Sequence, residues 1–475
     1  MKYITISLLF LFIIIQSCAL DEPSITKTET NLNNKVLSPY VAIGNSVTAG
    51  YQSSSLVEKH QRNSFPNLIS RQIGNGELEH PWVSYPGIPN ILELKSLTGV
   101  LAPAPGTGIP TNTTLARPYD NLGIPGIVLA DVQVATASDN SYSGSAAIDL
   151  ILRNPAMGNT TVYQQAQMLQ PNFITCWIGN NDVLGFATSG GVQPSSPTNS
   201  QVFANLYGSL AAGLDTLAEY VVVSTIPDVT SLPFFTTVGP RVAAGIPAGG
   251  VLRYQEHGQP ISPTHSGTST AEDLFTYKHF ITLLAGQYAA EIGKPSGLWY
   301  RDLAADMGIP VSALIAGIQH LDTTQAFGFY PQNPIPDALI LDESEIETAQ
   351  TSISEFNTAI TNLADQYGFA LVDIYTIFNN IAQNGYHEQN VHLSAAFITG
   401  GLFSRDGVHP SDAGHGVIAN EFIKAMNAEF DLDIAPVILY PLQAQTAADQ
   451  ETKAEPLHNI QSLKSTVEVL GGKLW

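Results

Sequence analysis

Near the C-terminal end, Ser404-Arg405-Asp406-Gly407-Val408-His409-Pro410 sets a carboxylate three positions before an imidazole. An Asp that close can accept the Nδ1–H of its own His, fix the tautomer and leave Nε2 free as a general base. Such a pair calls for a nucleophile. Ser46 offers one, at the end of the apolar run in Tyr40-Val41-Ala42-Ile43-Gly44-Asn45-Ser46. A Ser just past the carboxyl end of the first strand of an open parallel sheet stands where such folds hold their ligands. It also reads as a helix N-cap. The surroundings are not a Gly-x-Ser-x-Gly elbow, because Thr48 occupies the last position.

Two further segments suit an oxyanion. Ile178-Gly179-Asn180-Asn181-Asp182 follows another apolar run, and a side-chain amide at a strand end can donate to a developing negative charge. The same residues also read as an Asn/Asp turn. Asn121-Leu122-Gly123-Ile124-Pro125-Gly126 has glycines that let a backbone N–H approach a substrate. A rival pattern lies at the C-terminal end, where Asp406, His409, Asp412 and His415 recur every three residues and could bind zinc if they shared a face. Pro410 and Ser411 instead look like a helix start capped by Ser411. That start leaves Asp406 and His409 in a loop and makes Asp412 and His415 solvent-side or capping bystanders.

Apolar strand-like runs at 40–43, 173–178, 220–224 and 370–374 must position these residues. They alternate with helix-like patterns at 64–73, 200–219, 344–367 and 412–430, which predicts an α/β domain with a mostly parallel sheet covered on both faces. Residues 74–120 and 231–340 are too long for plain connections and read as insertions on one rim of the sheet. Within the second, Leu232-Pro233-Phe234-Phe235 is apolar enough to line an acyl site or form a lid, or simply to pack against the domain. Residues 436–475 read as an appended tail with little core signal. The 475 residues, 44% hydrophobic and 13% charged, describe a folded chain with a sizeable core. A net charge of −22 argues against nucleic acid or an anionic membrane surface as a partner.

Lys2 and the apolar run Ile4 to Ile15 form an export signal, shorter than the roughly 20 residues that span a bilayer. Ile15-Gln16-Ser17-Cys18 resembles the lipobox of bacterial lipoproteins. The resemblance implies a signal peptide over 1–17, lipidation of Cys18, a tether over 18–35 and an outer-membrane location in the cell envelope. The other cysteine, Cys176, reads as a buried strand residue, so no disulfide is expected within the mature chain.

Gly44-Asn45-Ser46, Asn121 to Gly126, Gly179 to Asp182 and Asp406 to His409 resemble, in order, the four blocks of the SGNH (GDSL) hydrolases. The resemblance implies a three-layer α/β/α sandwich with a flavodoxin-like sheet over 36–435. It also implies esterase or lipase activity without a metal or other cofactor. Ser46 matches the nucleophile, His409 the base and Asp406 its orienter. The backbone N–H groups of Ser46 and Gly126 and the side chain of Asn181 match the oxyanion donors. Asn45 replaces the usual Asp of the first block, where it shapes the turn. A lipid or other acyl ester is the first expected substrate and an acetylated polysaccharide the second. A surface-anchored binding protein that kept the fold and lost the activity is the non-enzymatic alternative.

Overall fold

The computed structural model describes residues 37–95, 101–193 and 196–449. Cys18 and the residues expected to form a signal peptide and tether lie outside the described residues.

Five parallel strands form the central sheet: β1 Tyr40–Gly44, β2 Asn121–Gly123, β3 Phe173–Trp177, β4 Tyr220–Ser224 and β5 Ala370–Val372. Their spatial order is β5-β4-β3-β1-β2. That is the doubly wound, flavodoxin-like order, whose chain direction reverses at β1 and β3. Val41 and Ile43 of β1 are fully buried, and each such side chain stabilises the fold by about 1.5–3 kcal/mol.

The helices that matter for the site are α1 Ser46–Ala49, α2 Phe65–Gln72, α3 Asn181–Thr188, α4 Ser200–Leu217, α5 Glu343–Tyr367 and α6 Asp412–Phe430. Adjacent residues of β3 show that they cover both faces. Trp177 packs against Phe65 of α2 and Phe422 of α6. Cys176 faces Tyr207 of α4, and α4 joins α5 through the stacked rings of Phe203 and Phe356. Consecutive strand residues point to opposite faces, so the molecule has three layers. Cys176 is free and buried as expected, and burial pushes its thiol up to about 12.

Both insertions carry short elements of their own. The first holds an antiparallel pair, Leu92–Leu94 with Leu101–Pro103. The second holds the pairs Leu252–Tyr254 with Gly267–Ser269 and Phe280–Ile281 with Ile340–Leu341. Phe234 and Phe235 are fully buried, so they are packing and not a lid, whereas Leu232 lines the cavity beside Ser46.

The C-terminal tail departs from expectation over its described part, 436–449. Val437, Leu439 and Leu442 are buried, and the Thr446 hydroxyl accepts the Ala413 N–H at the start of α6 at 3.1 Å. The apolar positions there are too few and too closely spaced to show a periodicity, which hid this contribution to the core.

Candidate active site

β1 ends in a turn that only small residues can make. A Cβ on Gly44 would lie 2.1 Å from Thr48 Oγ1 and 2.6 Å from the Trp177 carbonyl oxygen. Asn45, not Ser46, caps α1, with its Oδ1 accepting the Val47 N–H at 3.0 Å. Asn thus makes the capping bond expected of the usual Asp. Ser46 is freed to open the helix with its hydroxyl directed at His409.

Three groups then form one line. Ser46 Oγ lies 2.8 Å from His409 Nε2, and His409 Nδ1 lies 3.0 Å from Asp406 Oδ2. All three residues are buried, and 363 positions separate the Ser from the His. Asp406 Oδ1 accepts the N–H groups of Val408 and His409 at 2.9 and 2.8 Å, and its Oδ2 also accepts the Ser54 N–H at 2.8 Å. Burial alone would push the Asp406 carboxyl up. The neighbouring His409 and the backbone donors outweigh burial and hold it below the usual carboxylate range. Gly407, at φ +72°, closes the loop, and its carbonyl accepts the Phe234 N–H from the second insertion at 3.0 Å. The Tyr51 ring covers the imidazole, with centroids 4.9 Å apart.

The two segments expected to bind an oxyanion converge on the same strand ends. Past β2, the Ile124 N–H donates to the Gly44 carbonyl at 3.0 Å. Three residues on, the Ile127 carbonyl accepts from Asn181 Nδ2 at 2.9 Å. Gly126 lies between these two bonds at φ +81°. Asp182 ties the same loop down by accepting the Leu129 N–H at 2.9 Å and the Thr198 hydroxyl at 2.8 Å. Burial pushes its carboxyl up to about 7.

The rival metal pattern does not assemble, and Asp412 and His415 are not solvent-side. Both are buried. Asp412 accepts from Gln52 at 2.7 Å and pairs with His60 at 3.0 Å, while His415 Nδ1 accepts the Phe65 N–H at 3.3 Å. Ser411 does cap α6, accepting the Gly414 N–H. Helix α6 is covered on almost every side by α2, the sheet and the tail, so its first turn never reaches solvent. Tyr51 and Ser54 are the site residues that sequence reading missed; their one signal is their position within eight residues of Ser46.

Two cavities meet at Asn181. One, about 30 Å³, lies beside Ser46 and His409 and is walled by Val47, Trp177, Leu184, Val229 and Leu232. The other, about 340 Å³, is lined by Tyr142, Gln193, Ser196, Thr198, Asn199 and Val202, among others.

Residues 298–422 match the family model of GDSL-like lipases and acylhydrolases. No curated protein matches the chain. Among solved structures, the chain is similar to LAE5, an alpha/beta hydrolase enzyme from the metagenome of Lake Arreo, Spain. The identity is 12% and the TM-score 0.33, over 82% of this chain and 95% of that one. It is also similar to a mutant of Axe2, an acetyl-xylooligosaccharide esterase from Geobacillus Stearmophilus. There the identity is 11% and the TM-score 0.33, over 84% and 96%. These are loose likenesses of shape; the fold rests on the strand order itself. The family match spans the segment that carries Asp406 and His409, and the chain is an enzyme, a hydrolase that acts on ester bonds.

Proposed function

We propose that the chain hydrolyses esters through an acyl-enzyme on Ser46. As Oγ attacks the carbonyl carbon, His409 Nε2 takes its proton, and Asp406 holds the imidazole and stabilises its charged form. The ester oxygen becomes an oxyanion, which the N–H groups of Ser46 and Gly126 and the Asn181 amide neutralise. His409 then protonates the departing alcohol. In the second half, His409 takes a proton from water, whose oxygen attacks the acyl carbon, and Ser46 leaves with the proton restored. The observation that carries this reading is the unbroken line Ser46 Oγ–His409 Nε2 at 2.8 Å and His409 Nδ1–Asp406 Oδ2 at 3.0 Å. Turnover of p-nitrophenyl acetate and butyrate tests it. Activity abolished in Ser46→Ala supports the mechanism, and equal activity in parent and variant rejects it.

The apolar cavity beside Ser46 is placed to take the acyl group, and the larger one on the other side of Asn181 to take the alcohol. The larger cavity sets hydroxyl and amide groups and the exposed Tyr142 ring beside an apolar wall of Val128, Ala130, Val134 and Leu206, a mixture that suits a sugar ring that stacks and hydrogen-bonds. This ranks deacetylation of a carbohydrate above the lipid ester. A series of p-nitrophenyl esters decides: kcat/KM falling steeply beyond butyrate, with acetate release from acetylated xylan, is expected. A maximum at octanoate or longer rejects this ranking.

We further propose that the chain is held at the bacterial outer membrane by a lipid on Cys18. The support is the lipobox-like Ile15-Gln16-Ser17-Cys18. Cys18→Ala should move the protein from the membrane fraction to the soluble one; retention in the membrane counts against the anchor.

A further inference from the structure

Away from Ser46, the second insertion meets the start of α5 at a cluster of three side chains. His257 follows the strand Leu252–Tyr254, Asp337 opens the turn Asp337–Leu339, and Glu345 is the third residue of α5. One ligating atom from each lies within 4.8 Å of the others. His257 Nδ1 is 3.3 Å from Asp337 Oδ2.

Glu345 is only half satisfied. Its Oε2 accepts the Asp342 N–H at 2.8 Å, closing the capping box of α5. Its Oε1 is buried without a hydrogen-bond partner, in a residue only 6% exposed. Gly191 leaves the room for it, because a Cβ there would stand 2.3 Å from Oε1. Among the described residues, neither Asp337 nor Glu345 forms an ion pair with a Lys or Arg. The nearby Lys278 is engaged with Glu343. A desolvated carboxylate oxygen without a partner costs about 1–3 kcal/mol or more, and an acidic cluster of this kind gains most from a cation.

We propose that His257, Asp337 and Glu345 form a site for a divalent transition-metal ion, zinc first, which ties the 231–340 insertion to α5. An imidazole nitrogen with two carboxylates is a zinc-type donor set, unlike the all-oxygen shells of calcium and magnesium. Tetrahedral ligands about 2.1 Å from zinc stand about 3.4 Å apart. His257 Nδ1 and Asp337 Oδ2, 3.3 Å apart, already stand at that spacing, so the remaining closure is toward Glu345. A water would fill the fourth position. The ion offsets the charge of the buried Glu345 carboxylate and is structural, since no part of the proposed hydrolysis passes through it.

The test uses the tag-free chain, stripped with EDTA and dialysed against zinc sulfate, with bound metal counted by mass spectrometry and unfolding followed by calorimetry. One equivalent of zinc and a midpoint raised by several degrees are expected. In His257→Ala and Glu345→Gln the affinity should fall on the order of 10–100-fold or more. His387→Ala, which removes the exposed His387–His392 pair, should keep full binding. No bound zinc in the parent, or equal binding in parent and His257→Ala, overturns the proposal. So does a larger shift with calcium than with zinc. His257 is exposed enough that its variant folds even if Glu345→Gln does not.

Discussion

Ser54 and Asp406 are joined across 352 residues: the Ser54 N–H donates at 2.8 Å to Asp406 Oδ2, the same oxygen that receives His409 Nδ1. The turn that delivers this N–H is costly. Ser53 and Ser54 have φ of +49° and +62°, a left-handed conformation that costs a non-glycine residue about 1–2 kcal/mol. Reciprocal bonds offset it, from the Ser53 N–H to Ser404 Oγ at 2.9 Å and from the Arg405 N–H to Ser53 Oγ at 3.2 Å. The segment after Ser46 is thereby locked to the loop that carries His409.

Asp406→Asn keeps the Oδ1 acceptor of the Val408 and His409 N–H groups but removes the one that selects the His409 tautomer and receives the Ser54 N–H. A loss in kcat on the order of 10⁴ is expected, with KM little changed. Steady-state kinetics check this, and a loss below tenfold would remove Asp406 from the mechanism.

Asn181→Ala should lower kcat on the order of 10²–10³ if its amide faces the oxyanion. It also releases the bond to the Ile127 carbonyl, so the melting midpoint should fall by a few degrees. A lower midpoint with full kcat would assign Asn181 to loop anchoring alone.

His415 predicts an acid sensitivity that a variant can subtract. Burial pushes its imidazole down to about 3, despite the opposing pull of Asp412. The unfolded chain takes up a proton near pH 6.5, which the folded state refuses until about pH 3. Stability from this group is therefore present above pH 6.5 and drains as the pH falls toward 3, by up to about 1.36 kcal/mol per unit. His415→Asn retains an acceptor for the Phe65 N–H. Denaturant melts should show its loss of stability between pH 7 and pH 5 to be about 2 kcal/mol smaller than that of the parent.

Tyr51 covers the His409 ring, but its hydroxyl is buried without a hydrogen-bond partner. Tyr51→Phe should keep the activity and raise stability by about 1 kcal/mol, since it removes an unsatisfied polar group. Tyr51→Ala should lower kcat by leaving the imidazole unsupported. Kinetics and thermal melts on the two variants separate packing from polarity.

Four of the five sheet strands can be read from their apolar runs. The fifth, Asn121–Gly123, cannot, because it is three residues long and contains a glycine. It exists through pairing with Ala42 to Gly44, a tertiary cause with no local period. The proposed nucleophile, base and acid stand out because each is chemically unusual at a strand end or loop. Asp412 and His415 were misplaced for a different reason. The first turn of a helix is ordinarily solvated, and nothing within the 412–430 pattern says that this one is enclosed by three other elements. The Tyr51 and Ser54 contributions depend on backbone N–H direction and ring orientation, which residue type does not encode.

The 363 positions between Ser46 and His409 also set the order of events in the life of the chain. The proposed nucleophile and base are held by distant parts of the polypeptide, so on that mechanism a nascent or truncated chain carries a serine with no means of ionising it. On the proposed mechanism, hydrolytic competence is thus among the last properties the molecule acquires. It arises only when β1 is seated beside β3 and the far end returns over α2 to close the loop at Asp406. Such long-range closure is slow to form. For a chain that crosses a membrane before folding, the same geometry would delay activity until the whole sequence has passed through.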